Sequence, residues 1–314
     1  MRAVVVHGFG GPEVLETVEV PVPEPGPGQL RVRVEAATVN PVDALVRTGG
    51  TVAAGMALPR AVYGLGWDVA GTVDALGPGV AGFAAGDRVI GLIDRLDLPL
   101  GGYAEYAVLE AAETAAAPPG VSAVEAATLP LNGLTAWQGL DLLDLPAGST
   151  LLVGGAVGGV GGFAVQLAVE RGLRVVAVAG RGDDADAALA RRFGAAFVVP
   201  RDTDVAAAVR AVLPGGVDGV LDTAPLGVTA LEALRGGGAF VSCVPGAAPV
   251  ARRRTRVENV WVGADGAALG RLAALAGRGR LTLRVAGTFP LERAADAHTR
   301  LAAGGLRGRL VLVP

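Results

Sequence analysis

The sequence has no lysine; its 27 basic residues are all arginine. A Schiff-base nucleophile, a pyridoxal phosphate anchor and a P-loop lysine are therefore excluded. Cysteine occurs once, at Cys243, so an internal disulfide and four-cysteine zinc lobes are ruled out. Histidine occurs twice, at His7 and His298. That is too few for a histidine-rich metal centre, and most Ser-His-Asp arrangements lack their raw material. Charge is sparse: 18% of residues are ionised, with a net charge of −3. Without a basic face, a nucleic-acid partner is not expected. The segment Met1-Arg2-Ala3-Val4-Val5-Val6-His7-Gly8 has neither the long apolar core nor the cleavage site of a secretory leader, so a cytoplasmic protein is expected.

The chain has 314 residues and is 51% apolar, enough for one large or two ordinary cores. No charge interrupts the stretch between Asp144 and Glu170, which is long enough to span a bilayer. It opens, however, on the turn sequence Pro146-Ala147-Gly148-Ser149-Thr150, and six glycines crowd into 154–162. A helix there is weakened, and no membrane span is expected.

The first 110 residues are β-rich. Arg31-Val32-Arg33-Val34-Glu35-Ala36 alternates as a half-buried strand does, between turn clusters such as Gly77-Pro78-Gly79 and Gly86-Asp87. Ser122, with Glu125 three residues on, marks a capped helix start. Strands and helices then alternate. Strands are predicted at 150–153, 173–179, 197–199, 219–222 and 239–242, with helices at 161–170, 184–193 and 203–213. This is the pattern of a doubly wound parallel sheet. The tail is expected to hold a strand at 257–262, a helix at 266–276, an extended run at 281–285 and a closing strand at 308–313.

The sharpest local signal is Leu151-Leu152-Val153-Gly154-Gly155-Ala156-Val157-Gly158-Gly159-Val160-Gly161, where a strand ends and a helix begins. Glycines there admit a tight turn and close approach of a pyrophosphate, and the N–H groups of the helix start face the phosphates. Gly155, Gly158, Gly159, Val160 and Gly161 are the candidate phosphate-facing residues; the same glycines also suit close packing of helix on sheet. At the end of the next strand, where an NAD enzyme usually carries Asp or Glu, the chain reads Ala179-Gly180-Arg181. Arg181, and Arg201 after the third strand, are placed to pair with a 2′-phosphate, which favours NADP(H). Arg181 also reads as a solvated surface charge, and Asp183 and Asp184 either cap the next helix or oppose the phosphate. Cys243 reads as a small buried hydrophobe. Arg252-Arg253-Arg254-Thr255-Arg256 reads as a solvated loop or a salt-bridge cluster at a dimer edge.

Several blocks together resemble the zinc-free quinone oxidoreductases of the medium-chain dehydrogenase/reductase superfamily. They are Val39-Asn40-Pro41-Val42-Asp43, Gly66-Trp67-Asp68-Val69-Ala70-Gly71, Gly86-Asp87-Arg88-Val89, Gly102-Tyr103-Ala104-Glu105-Tyr106 and Leu134-Thr135-Ala136-Trp137, followed by the glycine turn with Ala164-Val165-Gln166-Leu167-Ala168 and by Gly308-Arg309-Leu310-Val311-Leu312. The resemblance implies a GroES-like, β-rich catalytic domain over 1–118 and 264–314 and a Rossmann domain over 119–263, with the active site in the cleft between them. It places Asn40, Trp67 and Asn132 where zinc-dependent members carry Cys, His and Cys, so no zinc is expected. It implies NADPH-dependent reduction of a quinone or an α,β-unsaturated carbonyl. Enoyl-thioester reduction and NADP binding without turnover are the alternatives.

By the same resemblance, Asn40 lies near the nicotinamide ribose and substrate, where its amide donates a hydrogen bond; Asn-Pro is also a common turn pair. Thr135 contacts the nicotinamide side, or else serves as a helix N-terminal hydroxyl. Val244, after the strand at 239–242, completes the cofactor set. Tyr63 is the candidate proton donor; Tyr103 reads as a packing residue, and Trp67 as a pocket wall or a core aromatic. The strand at 257–262 is expected to pair with its symmetry mate in a C2 homodimer.

Overall fold

The structure is a computed structural model that describes residues 1–180 and 184–314. The chain runs through β1 (Arg2–Val6), β2 (Glu16–Glu19) and β3 (Gln29–Val39), then helices α1 (Pro41–Arg47) and α2 (Gly50–Ala53). Strands β4 (Tyr63–Gly64), β5 (Asp68–Leu76), β6 (Arg88–Leu92), β7 (Tyr106–Glu110) and β8 (Thr114–Ala116) follow, then α3 (Ala123–Ala126) and α4 (Pro130–Leu143). The alternating region is β9 (Thr150–Gly154), α5 (Gly159–Glu170), β10 (Arg174–Val178), α6 (Asp184–Arg192), β11 (Phe197–Val199), α7 (Val205–Val212), β12 (Val217–Asp222), α8 (Val228–Ala233), β13 (Leu234–Ser242) and β14 (Arg256–Asn259). The tail adds α9 (Gly266–Gly277), β15 (Val285–Pro290), α10 (Ala294–Ala302) and β16 (Arg309–Val313).

Two compact units result: Met1–Leu131 with Gly263–Pro314, and Asn132–Val262. The first unit runs past residue 118 because α3 packs on β3 and β5, and because the Asp68 carboxylate accepts the Leu131 N–H at 2.6 Å.

In the first unit, β15-β16-β3-β5-β6-β8 form one sheet, with β7 also on β3, and β2-β1-β4 form a second. Strand β3 alternates at Leu30, Val32 and Val34 and is then buried without interruption from Ala36. Alternation over its first half leaves one face to solvent; its second half lies inside, between β5 and β16. The Ser122–Glu125 capping box forms as its sequence signature predicts, with the Glu125 N–H donating to Ser122 Oγ at 3.2 Å.

In the second unit, six parallel strands lie in the order β11-β10-β9-β12-β13-β14. Neighbours on both sides bury β9, β10 and β12, so they read as continuous apolar runs. The order reverses between β9 and β12, the point at which such sheets open a ligand crevice.

Some boundaries differ from expectation. The strand expected at 257–262 ends at Asn259, leaving Trp261 63% exposed beyond it. The run at 281–285 is not a strand; β15 starts at Val285, where pairing with β16 begins. Helices α1, α4 and α10 carry no sequence signal we used. In α10 the buried residues are Ala294, Ala297 and His298, too small or too polar to mark an apolar period.

Candidate functional site

The glycine turn joins β9 to α5 at the reversal of strand order. Gly155 has φ +67°, a left-handed value that disfavours any side chain. A Cβ on Gly161 would lie 2.1 Å from the Gly155 carbonyl oxygen, so the first helical turn packs directly on the loop. The N-cap is Gly158, and no side chain caps the helix start. The N–H groups of the first turn thus have no side-chain cap, the geometry that receives a phosphate. Gly155, Gly158, Gly159, Val160 and Gly161 are brought together here.

The floor of this crevice comes from β12. Asp222 is fully buried and accepts the N–H groups of Ala224 at 3.2 Å and Gly227 at 2.9 Å. Burial raises its pKa, and those backbone donors oppose the shift. The Thr223 hydroxyl donates to the Gly154 carbonyl at 2.5 Å, tying β12 to the glycine turn. A Cβ on Gly154 would fall 2.6 Å from Asp222 Oδ1. Sequence reasoning missed Asp222 and Thr223; a charged residue ending an apolar strand was the available signal.

Gly180, at φ +69°, lies two residues beyond the end of β10, and its carbonyl accepts the Arg201 N–H at 3.1 Å. Arg201 is exposed beside Ala179-Gly180. Arg181 lies outside the described residues. Val244 follows β13; its N–H donates to Ser242 Oγ at 3.2 Å. Thr135 is buried within α4.

In the first unit, Asp68 is fully buried at the start of β5. Its Oδ2 accepts Asn40 Nδ2 at 2.6 Å and the Thr38 hydroxyl; its Oδ1 accepts the Leu131 N–H at 2.6 Å. Asn40 Oδ1 in turn accepts from Arg309 Nη2. Asp43 is also fully buried and accepts the N–H groups of Asn40 and Gly66, each at 2.8 Å. Burial raises Asp43 to about 7 against those two donors, and raises Asp68 as well. Tyr103 Oη lies 3.3 Å from His298 Nε2. Burial, together with the Arg47 charge, lowers His298 to about 4.

This network corrects the expectation for Asn40. Its amide is fully buried, with Nδ2 engaged by Asp68 and by Thr38 Oγ1 at 3.1 Å, so it is not presented to a substrate. Tyr103 packs as expected, and its Oη also reaches His298. These roles were hidden because Asp43, Asp68 and Arg309 lie far apart in sequence.

Tyr63 is 5% exposed, packs against Phe9 with the rings tilted at 48° and 5.0 Å between centroids, and accepts the Arg60 N–H at 2.9 Å. With Trp67 it lines a narrow recess with room for about one water molecule. Burial pushes the Cys243 thiol up to about 12, an inert form. Arg252 and Arg253 pair with Glu232, and Arg256 with Glu258. Among the described residues, no helix is long and apolar enough to cross a membrane.

Residues 26–119 match the alcohol dehydrogenase GroES-like domain family, and 193–312 the zinc-binding dehydrogenase family. The chain is 31% identical to a chloroplastic quinone-oxidoreductase of Triphysaria versicolor, over 100% of this chain and 98% of that protein. A crystal structure of an NAD-dependent alcohol dehydrogenase superposes with TM-score 0.87 at 34% identity, covering 100% of both chains. A mycobacterial structure complexed with NADPH gives TM-score 0.81 at 31% identity, covering 100% of both. Against other curated relatives, such as the Arabidopsis thaliana chloroplast envelope quinone oxidoreductase homolog, the match covers 56% of the relative's length at 38% identity.

The second family description raises the question of zinc. Asn40, Trp67 and Asn132 supply no thiolate or imidazole, and the Asn40 amide is engaged by Asp68 and Arg309. Among the described residues, no group of three His, Cys, Asp or Glu side chains is placed to hold a metal. The donor set does not fit zinc. With a GroES-like β unit, a doubly wound nucleotide-type sheet and a full-length relative, the chain belongs to the quinone oxidoreductase-like members of the medium-chain dehydrogenase/reductase superfamily.

Proposed function

We propose that the protein is an NADPH-dependent oxidoreductase that passes hydride to a quinone or an α,β-unsaturated carbonyl without a metal. The observation that carries this is the glycine turn at the reversal of strand order, where Gly155 takes φ +67°, the first turn of α5 packs on the Gly155 carbonyl, and no side chain caps the helix start. A bound nicotinamide supplies the hydride chemistry; the protein supplies position and electrostatics. Thr135 and the backbone at Val244 are assigned to the nicotinamide half. For the phosphate, Ala179 carries no acid to repel a 2′-phosphate, and Arg201 is held beside Gly180 by its backbone. Tyr63 is the proposed proton donor: its oxygen accepts from Arg60, which leaves the phenol proton free to be given.

NADPH oxidation against a panel of quinones, enones and enoyl thioesters tests this reading. Turnover with quinones or enones supports it. Turnover with thioesters alone, or binding without oxidation, overturns it. We also assign a homodimer to the β14 edge, where Trp261 is exposed; a monomer in sedimentation at micromolar concentration contradicts that assignment.

A further inference from the structure

Six glycines crowd residues 154–162, and glycine loses more backbone freedom on folding than any other residue. A turn built from them keeps one shape only if the groups around it fix that shape. The β9–β12 ladder ends at the pair Gly154–Asp222, so the turn lies beyond the regular hydrogen bonding of those two strands. On the β10 side, the Ala156 N–H donates to the Val178 carbonyl at 3.1 Å. On the β12 side, the Gly154 carbonyl accepts twice from Thr223: from its N–H at 3.2 Å and from its hydroxyl at 2.5 Å. The same hydroxyl oxygen lies against the rest of the turn. A Cβ on Gly161 would stand 2.9 Å from it, and one on Gly155 3.0 Å. One oxygen thus meets the end of β9, the left-handed Gly155 and the first turn of α5.

We propose that Thr223 is a positioning residue for the dinucleotide. Its hydroxyl fixes the glycine turn, so that the N–H groups of α5 are aimed before the pyrophosphate arrives, and less ordering is left to oppose binding. The inference rests on the nucleotide site proposed above and adds to it a side chain that acts through the turn. Thr150 supplies the contrast, at the other end of the same two strands. Its hydroxyl donates to Asp218 Oδ2 at 2.8 Å and accepts the Asp218 N–H at 3.1 Å, tying β9 to β12 far from the turn.

The test compares Thr223→Ala with Thr223→Ser, which differ by the hydroxyl oxygen alone, and uses Thr150→Ala as the control. NADPH affinity is measured by titration of nicotinamide fluorescence without an acceptor, so the outcome does not depend on which compound is reduced. Thr223→Ala should weaken NADPH binding about tenfold, the effect of one lost hydrogen bond. Thr223→Ser should bind within about twofold of wild type, since it keeps the donor. Thr150→Ala should lower Tm by about 2 °C, as Thr223→Ala does, and leave NADPH affinity unchanged. Unchanged affinity in Thr223→Ala, no recovery in Thr223→Ser, or an equal loss in Thr150→Ala overturns this inference alone. A wild-type protein that binds no dinucleotide overturns the nucleotide site itself, and this inference with it.

Discussion

The carboxylate of Asp68 accepts the side-chain amide of Asn40 at 2.6 Å, with both residues fully buried. The same carboxylate holds the Leu131 N–H, and Asn40 holds Arg309, so one charge ties β3, β5, β16 and the start of α4 together. Asp68→Asn places an amide N–H where a donor must be accepted, and it removes the negative partner of Arg309. We expect a loss of about 3 kcal/mol, the scale for breaking a buried charged contact. Urea unfolding measures it; a loss below ~1 kcal/mol contradicts the assignment.

The buried ionisable groups oppose one another in pH dependence. His298 titrates at about 4 in the folded protein, below its ordinary value. Its contribution is present above pH ~6.5 and is lost as pH falls through the folded value. Asp43, raised to about 7, acts in the other direction: its contribution is present at low pH and is lost as pH rises toward 7. His298→Gln removes the first effect. Between pH 7 and pH 4.5 the variant should gain stability relative to wild type, on the order of 2 kcal/mol. Parallel curves for the two proteins contradict the burial argument.

Gly161→Ala tests the nucleotide turn by sterics alone. The added Cβ meets the Gly155 carbonyl oxygen at 2.1 Å, so the turn must open. NADPH affinity should fall at least about tenfold, with a drop in Tm of several degrees. Unchanged affinity in a folded variant removes this turn from the site.

Arg201→Ala tests cofactor choice. An exposed arginine paired with a 2′-phosphate should cost about tenfold in NADPH affinity and leave NADH unaffected. Equal losses for the two coenzymes contradict the phosphate contact.

The alternating half of the chain was legible because buried parallel strands print continuous apolar runs and the glycine turn carries its own spacing. Strand ends were less legible, since β14 stops at Asn259 for want of a partner rather than for any change in residue type. In the β-rich unit, individual strands were visible from alternation. The cluster of Asp43, Asp68, Tyr103, His298 and Arg309 was not, because it is assembled only by folding. Asn40 shows the difference: its block was recognisable, but the direction of its amide is set by Asp68 and Arg309.

The most direct measurement is NADPH oxidation by 1,4-naphthoquinone with chelator-treated, metal-analysed protein. The account predicts one NADPH bound per chain and the same turnover before and after chelation. Loss of turnover on chelation with recovery on adding zinc, or no NADPH binding at all, contradicts it.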